Sequence, residues 1–277
     1  MTATSPPALR PLPPPARRRY GLGGILLSEW TKMRSVRSSV WTLVITVVIG
    51  IGLGAIVTTA RASRFSTRSV AAQLAFDPTR SSLSGLLFAQ LAIGVLGVLV
   101  VSAEYSTGTI RDSFAAVPRR SWVLAAKVAV FGVITLAVGE VVSFGSFLMG
   151  QRILLGETPT ASLSDPSALR AVFGGGLYLL ALGLVALGIA TIIRHTPTAI
   201  SAFVGILLIL PIIASVLPSS YANDIGRFLP ANIGTAMISV HHPGNGAFNP
   251  WAGFGLLCAY AVVVLVVGGV LLVRRDA

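Results

Sequence analysis

The sequence predicts an all-α integral membrane protein with six transmembrane helices, and three observations carry that prediction. Hydrophobic residues make up 54% of the 277-residue chain, charged residues only 11%, and the mean hydropathy is +0.83. Soluble domains carry about 25% charged residues, so a water-soluble globule of this composition would lack the polar atoms to cover itself. The apolar residues gather in six runs of about 20 residues or more, at 40–60, 83–103, 122–149, 171–193, 198–217 and 251–273. At a rise of 1.5 Å per residue, a helix of about 20 residues crosses a hydrocarbon core about 30 Å thick. The runs are continuous rather than alternating, which excludes barrel strands, and a lipid-exposed backbone must pair its own N–H and C=O groups.

Charge fixes the expected direction. The chain carries 21 Lys and Arg against 9 Asp and Glu, a formal net charge of +12. These cations lie mainly between apolar runs rather than along one stripe, as membrane topology signals do, so no nucleic-acid partner is expected. Six spans put both termini on one side. That side holds Arg10, Arg17, Arg18, Arg19, Lys32, Arg34, Arg37, Arg111, Arg119, Arg120, Arg194, Arg274 and Arg275. The other holds Arg61, Arg64, Arg68, Arg80, Arg152, Arg170 and Arg227, and Lys127 lies just inside the third run on the richer side. The positive-inside rule places both termini in the cytoplasm of a cell-membrane protein. The first run is longer than the core of a secretory signal and starts some twenty residues after the arginines, so it is read as a span.

The elements follow in order. Residues 1–21 are rich in proline and arginine and are expected to form a disordered cytoplasmic tail, followed by one membrane domain over 22–277. Leu22, Ile25, Leu26, Trp30 and Met33 recur at three- and four-residue spacing, with Glu29, Lys32 and Arg34 elsewhere on the wheel. That pattern predicts an interfacial helix whose Trp30 sits among headgroups and whose Lys32, Arg34 and Arg37 reach lipid phosphates, or else a solvated linker. Between the second and third runs, residues 104–121 are too polar for lipid. Ile110, Phe114 and Val117 form an i, i+4, i+7 stripe, so a short amphipathic helix over 109–117 competes with a plain loop. Gly50 and Gly54 make a small-xxx-small face read as internal packing. The piece 228–240 is apolar but too short to span, and fits a re-entrant or interfacial helix on the outer side.

Several chemistries are missing from the sequence. A G-x-x-x-x-G-K-[ST] phosphate loop is absent, because neither of the two lysines, Lys32 and Lys127, follows a glycine. The single cysteine, Cys258, excludes an internal disulfide, and His241-His242 has no acidic or Cys neighbour at ligand spacing, so no metal site is expected. No serine elbow or H-E-x-x-H occurs, and the chain reads as a non-enzyme without a cofactor of its own. Glu140 stands alone as an acid well inside a span, either a protonation site or a neutral packed carboxyl.

The run Glu104-Tyr105-x-x-Gly108-Thr109-Ile110-Arg111, followed by Ala115-Ala116-Val117-Pro118-Arg119-Arg120, resembles the cytoplasmic loop of ATP-binding-cassette type-2 permeases of the six-span kind found in actinobacteria. The segments Ser28-Glu29-Trp30-Thr31-Lys32-Met33-Arg34-Ser35, 251–258 and Arg274-Arg275-Asp276 resemble the same group, so that the likeness covers about residues 22–277. The resemblance implies that the loop forms a coupling helix docked on a separate cytoplasmic ATPase. Glu104, Tyr105, Gly108, Thr109, Ile110, Arg111, Phe114, Arg119 and Arg120 would act there. Glu29, Trp30, Lys32 and Arg34 of the interfacial helix would lie beside the same subunit. It implies a second permease subunit, ATP and Mg on the partner chain, and export of a hydrophobic or amphipathic substrate. The Pro-rich tail and Asp112 depart from the pattern. Two other readings stay open: a proton-coupled secondary transporter using Glu140, and a membrane scaffold that moves nothing.

Overall fold

The computed structural model describes residues 21–117, 120–240 and 248–274. The expected disordered tail, Arg119 and the His241-His242 pair lie outside these residues. Among the described residues the structure is helical and has no strand. The chain opens with α1 (Leu22–Ser35), breaks at Val36, and continues as α2 (Arg37–Ala62). Two short helices, α3 (Val70–Leu74) and α4 (Pro78–Ser82), lead through a 3₁₀ turn into α5 (Leu86–Thr107). Then come α6 (Thr109–Ala116), α7 (Arg120–Leu154) and α8 (Pro166–Ile193). A broken helix follows, made of α9 (Thr196–Val204), a π-helical turn over Gly205–Ile209 and α10 (Leu210–Val216). The chain closes with α11 (Ser219–Gly226), α12 (Pro230–Ile238) and α13 (Pro250–Arg274).

Six of these units are long and apolar enough to cross a membrane: α2, α4 through α5, α7, α8, α9 through α10, and α13. Proline stands in the first turn of α4, α8, α9, α12 and α13, where its missing N–H costs nothing and its fixed φ suits helix entry. Asp165 caps α8 by accepting the Ser167 N–H at 2.8 Å. Pro211 cannot donate to the carbonyl four residues earlier, and the π turn lies directly before it. At 35 residues α7 is roughly 50 Å long, well beyond the hydrocarbon thickness. The helix is therefore longer than a crossing needs.

The core centres on α8, which packs against α5, α7 and α13. Gly50 and Gly54 are buried on α2, and a Cβ on Gly85 would collide with the Gly50 carbonyl. The small-residue face is thus used within the chain, letting α2 lie against the start of α5. Polar groups at depth find partners: the Tyr178 hydroxyl donates to Gln90 Oε1 at 2.6 Å, both side chains being buried. The outward faces of α2 and α13 expose Trp41, Val48, Ile56, Val262, Val263 and Val266. Such a girdle faces lipid.

The two ends of the bundle differ. At one end lie α1, α6, the start of α7, and the ends of α8 and α13. At the other, Asp77 accepts the Arg80 N–H at 2.9 Å and the Val240 N–H at 2.8 Å. Arg170 there donates to the carbonyls of Met237 (3.1 Å) and Ser239 (2.7 Å), fixing the end of α12. Gly234 of α12 lies directly against the Tyr178 ring, so this short helix is buried in the bundle.

Candidate functional site

The site is built at the α1 end, around the polar segment between α5 and α7. Helix α5 runs on through Glu104 and Tyr105 to Thr107, further than the hydropathy of 83–103 implies. Those two residues are helical and belong to the last turns of the second span rather than to a loop. Gly108 then takes φ 75°, a left-handed conformation that ends α5 and starts α6 and that L side chains rarely adopt. Of the two readings of 109–117, short helix or plain loop, the structure has the helix, as α6. It buries Ile110 and half-buries Ser113 and Phe114, and turns Arg111, Asp112 and Ala115 outward.

Beneath α6 lies a compact cluster of charge. Lys127 Nζ contacts Glu29 Oε2 at 2.6 Å and Glu104 Oε1 at 2.9 Å. Lys32 Nζ contacts Glu29 Oε1 at 2.7 Å and Glu104 Oε1 at 3.0 Å, and donates to Ser113 Oγ at 3.0 Å. Two ammoniums and two carboxylates balance, and together they join α1, α5, α6 and α7. The Glu29 and Lys127 side chains are only 4% and 7% exposed, so neither charge would be tolerated there alone. Burial raises the Glu29 carboxyl, but the ammoniums of Lys127 and Lys32 outweigh that effect and hold it below the usual carboxylate range. Burial likewise opposes the Lys32 charge, and Glu29 and Glu104 overcome it, keeping that ammonium above its ordinary range.

Both lysines of the chain are spent here, while the remaining 19 basic residues are arginines. An ammonium is a compact centre with three donors pointing apart, which suits Lys32 among Glu29, Glu104 and Ser113. A planar guanidinium fork would not reach three partners in that arrangement.

A second set of contacts ties α6 to the end of α13. Arg120 lies over the Phe114 ring at 5.2 Å and donates to the Leu272 carbonyl at 3.3 Å. Arg194, in left-handed backbone at φ 62°, lies over Tyr105 at 5.1 Å and donates to the Leu271 carbonyl at 3.0 Å. The last carbonyls of a helix lack partners and carry partial negative charge, so two guanidiniums are well placed there. Phe114 and Tyr105 are thereby connected to the final span.

These positions correct the sequence reading of α1. Its buried line is Ile25, Glu29 and Met33, facing α7, whereas Leu22, Leu26 and Trp30 are exposed. Lys32, expected to reach lipid phosphates, instead turns inward to two carboxylates; Arg34 remains exposed. Glu29, Lys32, Glu104, Tyr105, Gly108, Thr109, Ile110, Arg111, Phe114 and Arg120 all gather at this end, with Trp30 on the outer face of α1. Lys127, Ser113 and Arg194 complete the arrangement and were not foreseen as site residues. Two signals could have found Lys127: its cation stands inside the apolar run 122–149, and lysine is scarce among so many arginines. Glu140 is apart, three and a half turns further along α7, with its carboxyl against Gly176 of α8 and no hydrogen-bond partner on Oε2 among the described residues. Among the described residues no group of His, Cys, Asp and Glu is arranged to hold a metal ion.

Fold and site together define a multi-pass, all-helical membrane protein with a braced polar helix at one end. No protein-family model matches the chain, and no curated protein is significantly similar to it. The likeness to type-2 permeases therefore rests on the residues quoted for it.

Proposed function

We propose that this chain is the membrane-spanning subunit of an ATP-driven transporter, an exporter of a hydrophobic or amphipathic substrate, worked by a separate cytoplasmic ATPase through α6. The observation that carries this reading is the bracing of α6. A free loop would absorb a push, whereas this helix is tied by Lys32 and Ser113 to the cluster joining α1, α5 and α7, and by Phe114 and Arg120 to α13. Force applied to the outward residues Arg111 and Asp112 would be delivered to four helices at once. Closure of nucleotide-bound ATPases would tilt those helices and switch the pathway between inward- and outward-open states, with α12 as an outer re-entrant closure and a second permease subunit completing the channel. In this reading α1 lies along the membrane surface, its exposed Leu22, Leu26, Leu27 and Trp30 toward lipid, and both termini are cytoplasmic.

The test is to look for a cassette ATPase in the neighbouring reading frames, co-purify it with the chain, and reconstitute the pair for ATP-dependent flux. Association together with loss of flux in Glu104→Ala and Arg111→Glu supports the reading. Failure to associate, with flux unaffected by those changes, refutes it. A second reading has one observation of its own: the unpartnered Glu140 Oε2 in mid-span suits a proton carrier. Flux driven by a pH gradient without any ATPase, and abolished in Glu140→Gln, would establish it instead.

A further inference from the structure

The opposite end of the bundle holds a charge arrangement that the permease reading does not use. We propose that Arg61, Arg68 and Arg80 form a binding site for a phosphate-bearing anion. Arg61 is half-buried in the last turn of α2, Arg68 is half-buried in the following loop, and Arg80 is exposed on α4. Thr58, one turn before Arg61 on α2, donates to the carbonyl of Ser81, the neighbour of Arg80, at 3.0 Å, and Ala62 beside Arg61 packs with Phe76, the ring under Arg68, so the three positions surround the end of α2. Among the described residues no carboxylate lies within 4 Å of any of the three. The nearest acid in sequence, Asp77, gives its two oxygens to the backbone N–H groups of Arg80 and Val240.

Arg68 is held rather than loosely carried. Phe76 is buried together with Ala62 and Leu154, and Phe65 packs on it edge-on at 5.2 Å. Arg68 lies over the Phe76 ring at 5.9 Å. Gln73 Nε2 donates to the carbonyls of Phe65 (3.3 Å) and Arg68 (3.1 Å), bracing the loop that carries Arg68. Holding three like charges together around a half-buried member is unfavourable unless an anion joins them. Guanidinium forks match the oxygens of a phosphate, which offers more acceptors than a single carboxylate. The position at the end of the apolar part of α2 is the headgroup level of a bilayer, where the phosphate of an anionic lipid and a phosphate from solution both have access.

The test needs no ATPase and stands apart from the transport reading. The full chain, in a phosphate-free maltoside detergent, is titrated separately with phosphatidylglycerol and with inorganic pyrophosphate. Thermal stability and native mass spectrometry read binding. The proposal expects saturable binding of at least one probe, one per chain, weakened about tenfold or more in Arg61→Gln and in the pair Arg68→Gln with Arg80→Gln. Arg227→Gln, at the same end on another loop, retains wild-type binding. The paired change touches one exposed and one half-exposed side chain, so it reports even if Arg61→Gln misfolds. Binding of phosphatidylglycerol alone identifies a lipid headgroup, and binding of pyrophosphate alone a soluble phosphate. Equal affinity in the wild type and the paired variant, or no saturable binding of either probe, overturns the proposal.

Discussion

Lys127 shows how one residue can couple two distant parts of a membrane chain. Its ammonium meets Glu29, 98 residues earlier, inside a pocket closed by α1. Removing one member of a buried pair leaves the other charge uncompensated and costs about 3–5 kcal/mol. Lys127→Met is therefore expected to lower thermal stability sharply. Combining it with Glu29→Leu leaves Lys32 and Glu104 balanced, so the double variant should lose clearly less than the two single losses added. Unfolding of all three proteins in the same detergent checks this, and simple additivity would show that the cluster is not energetically coupled. Acidity acts on the same residues with a definite sign. The Glu29 carboxyl is held below its ordinary value of 4.5, so its contribution is present above that value and lost as pH falls through the lower folded value. The Lys32 ammonium is held above 10.5, so its contribution is present below that and lost only at more alkaline pH. Stability from this cluster should be flat between roughly pH 5 and pH 10 and fall on both sides. A break near neutrality in a melting-temperature profile that Glu29→Gln abolishes would contradict the assignment.

Among the elements, α6 depends on the turn before it. Gly108 occupies left-handed backbone, and an L side chain there costs about 1–2 kcal/mol. No atom stands within 4 Å of where its Cβ would be, so the penalty in Gly108→Ala is conformational rather than a clash. The chain would relieve it by re-aiming α6 relative to α5, lengthening the Lys32–Ser113 contact. Gly108→Ala is expected to reduce ATP-coupled flux several-fold while lowering stability only modestly, whereas Gly21→Ala, in open space at an ordinary φ, changes neither. Much of this element was legible in advance. The stripe of Ile110, Phe114 and Val117 allowed a helix beside the plain-loop reading, and Gly108 marked where it would start. What the pattern did not reveal was the depth of Glu104, because polar residues in the last turns of a span look the same in sequence as those of a loop. The face of α1 was misread for a related reason. Ile25, Leu26 and Trp30 fit one apolar stripe, but the helix buries the line through Ile25, Glu29 and Met33, since an opposing lysine on α7 makes Glu29 a core residue.

For the whole molecule, six helical crossings were readable because bilayer thickness sets a length that few other constraints mimic. Six such helices stand where the apolar runs lie, extended by two to several residues at most ends. Contacts across the bundle were not readable, because Arg194 with Leu271, Asp77 with Val240 and Lys127 with Glu29 join residues separated by whole spans. Hydropathy reports a residue's preference for lipid or water and contains no term for a partner charge. Likewise the central place of α8 follows from which glycines let its neighbours approach, not from its apolarity, which it shares with α2.

The claim on which the functional account turns is that α6 faces the cytoplasm and is gripped there by an ATPase. Its most direct test is a pair of single-cysteine chains in a Cys258→Ser background, Arg111→Cys on α6 and Arg64→Cys near the other end. Each is exposed to a membrane-impermeant thiol reagent in intact cells and then, in inverted vesicles, to a short bifunctional cross-linker with the neighbouring ATPase present. The account predicts that Arg64→Cys alone is labelled from outside and that Arg111→Cys alone cross-links to the ATPase. Labelling of Arg111→Cys in intact cells would place α6 on the outer face and contradict it.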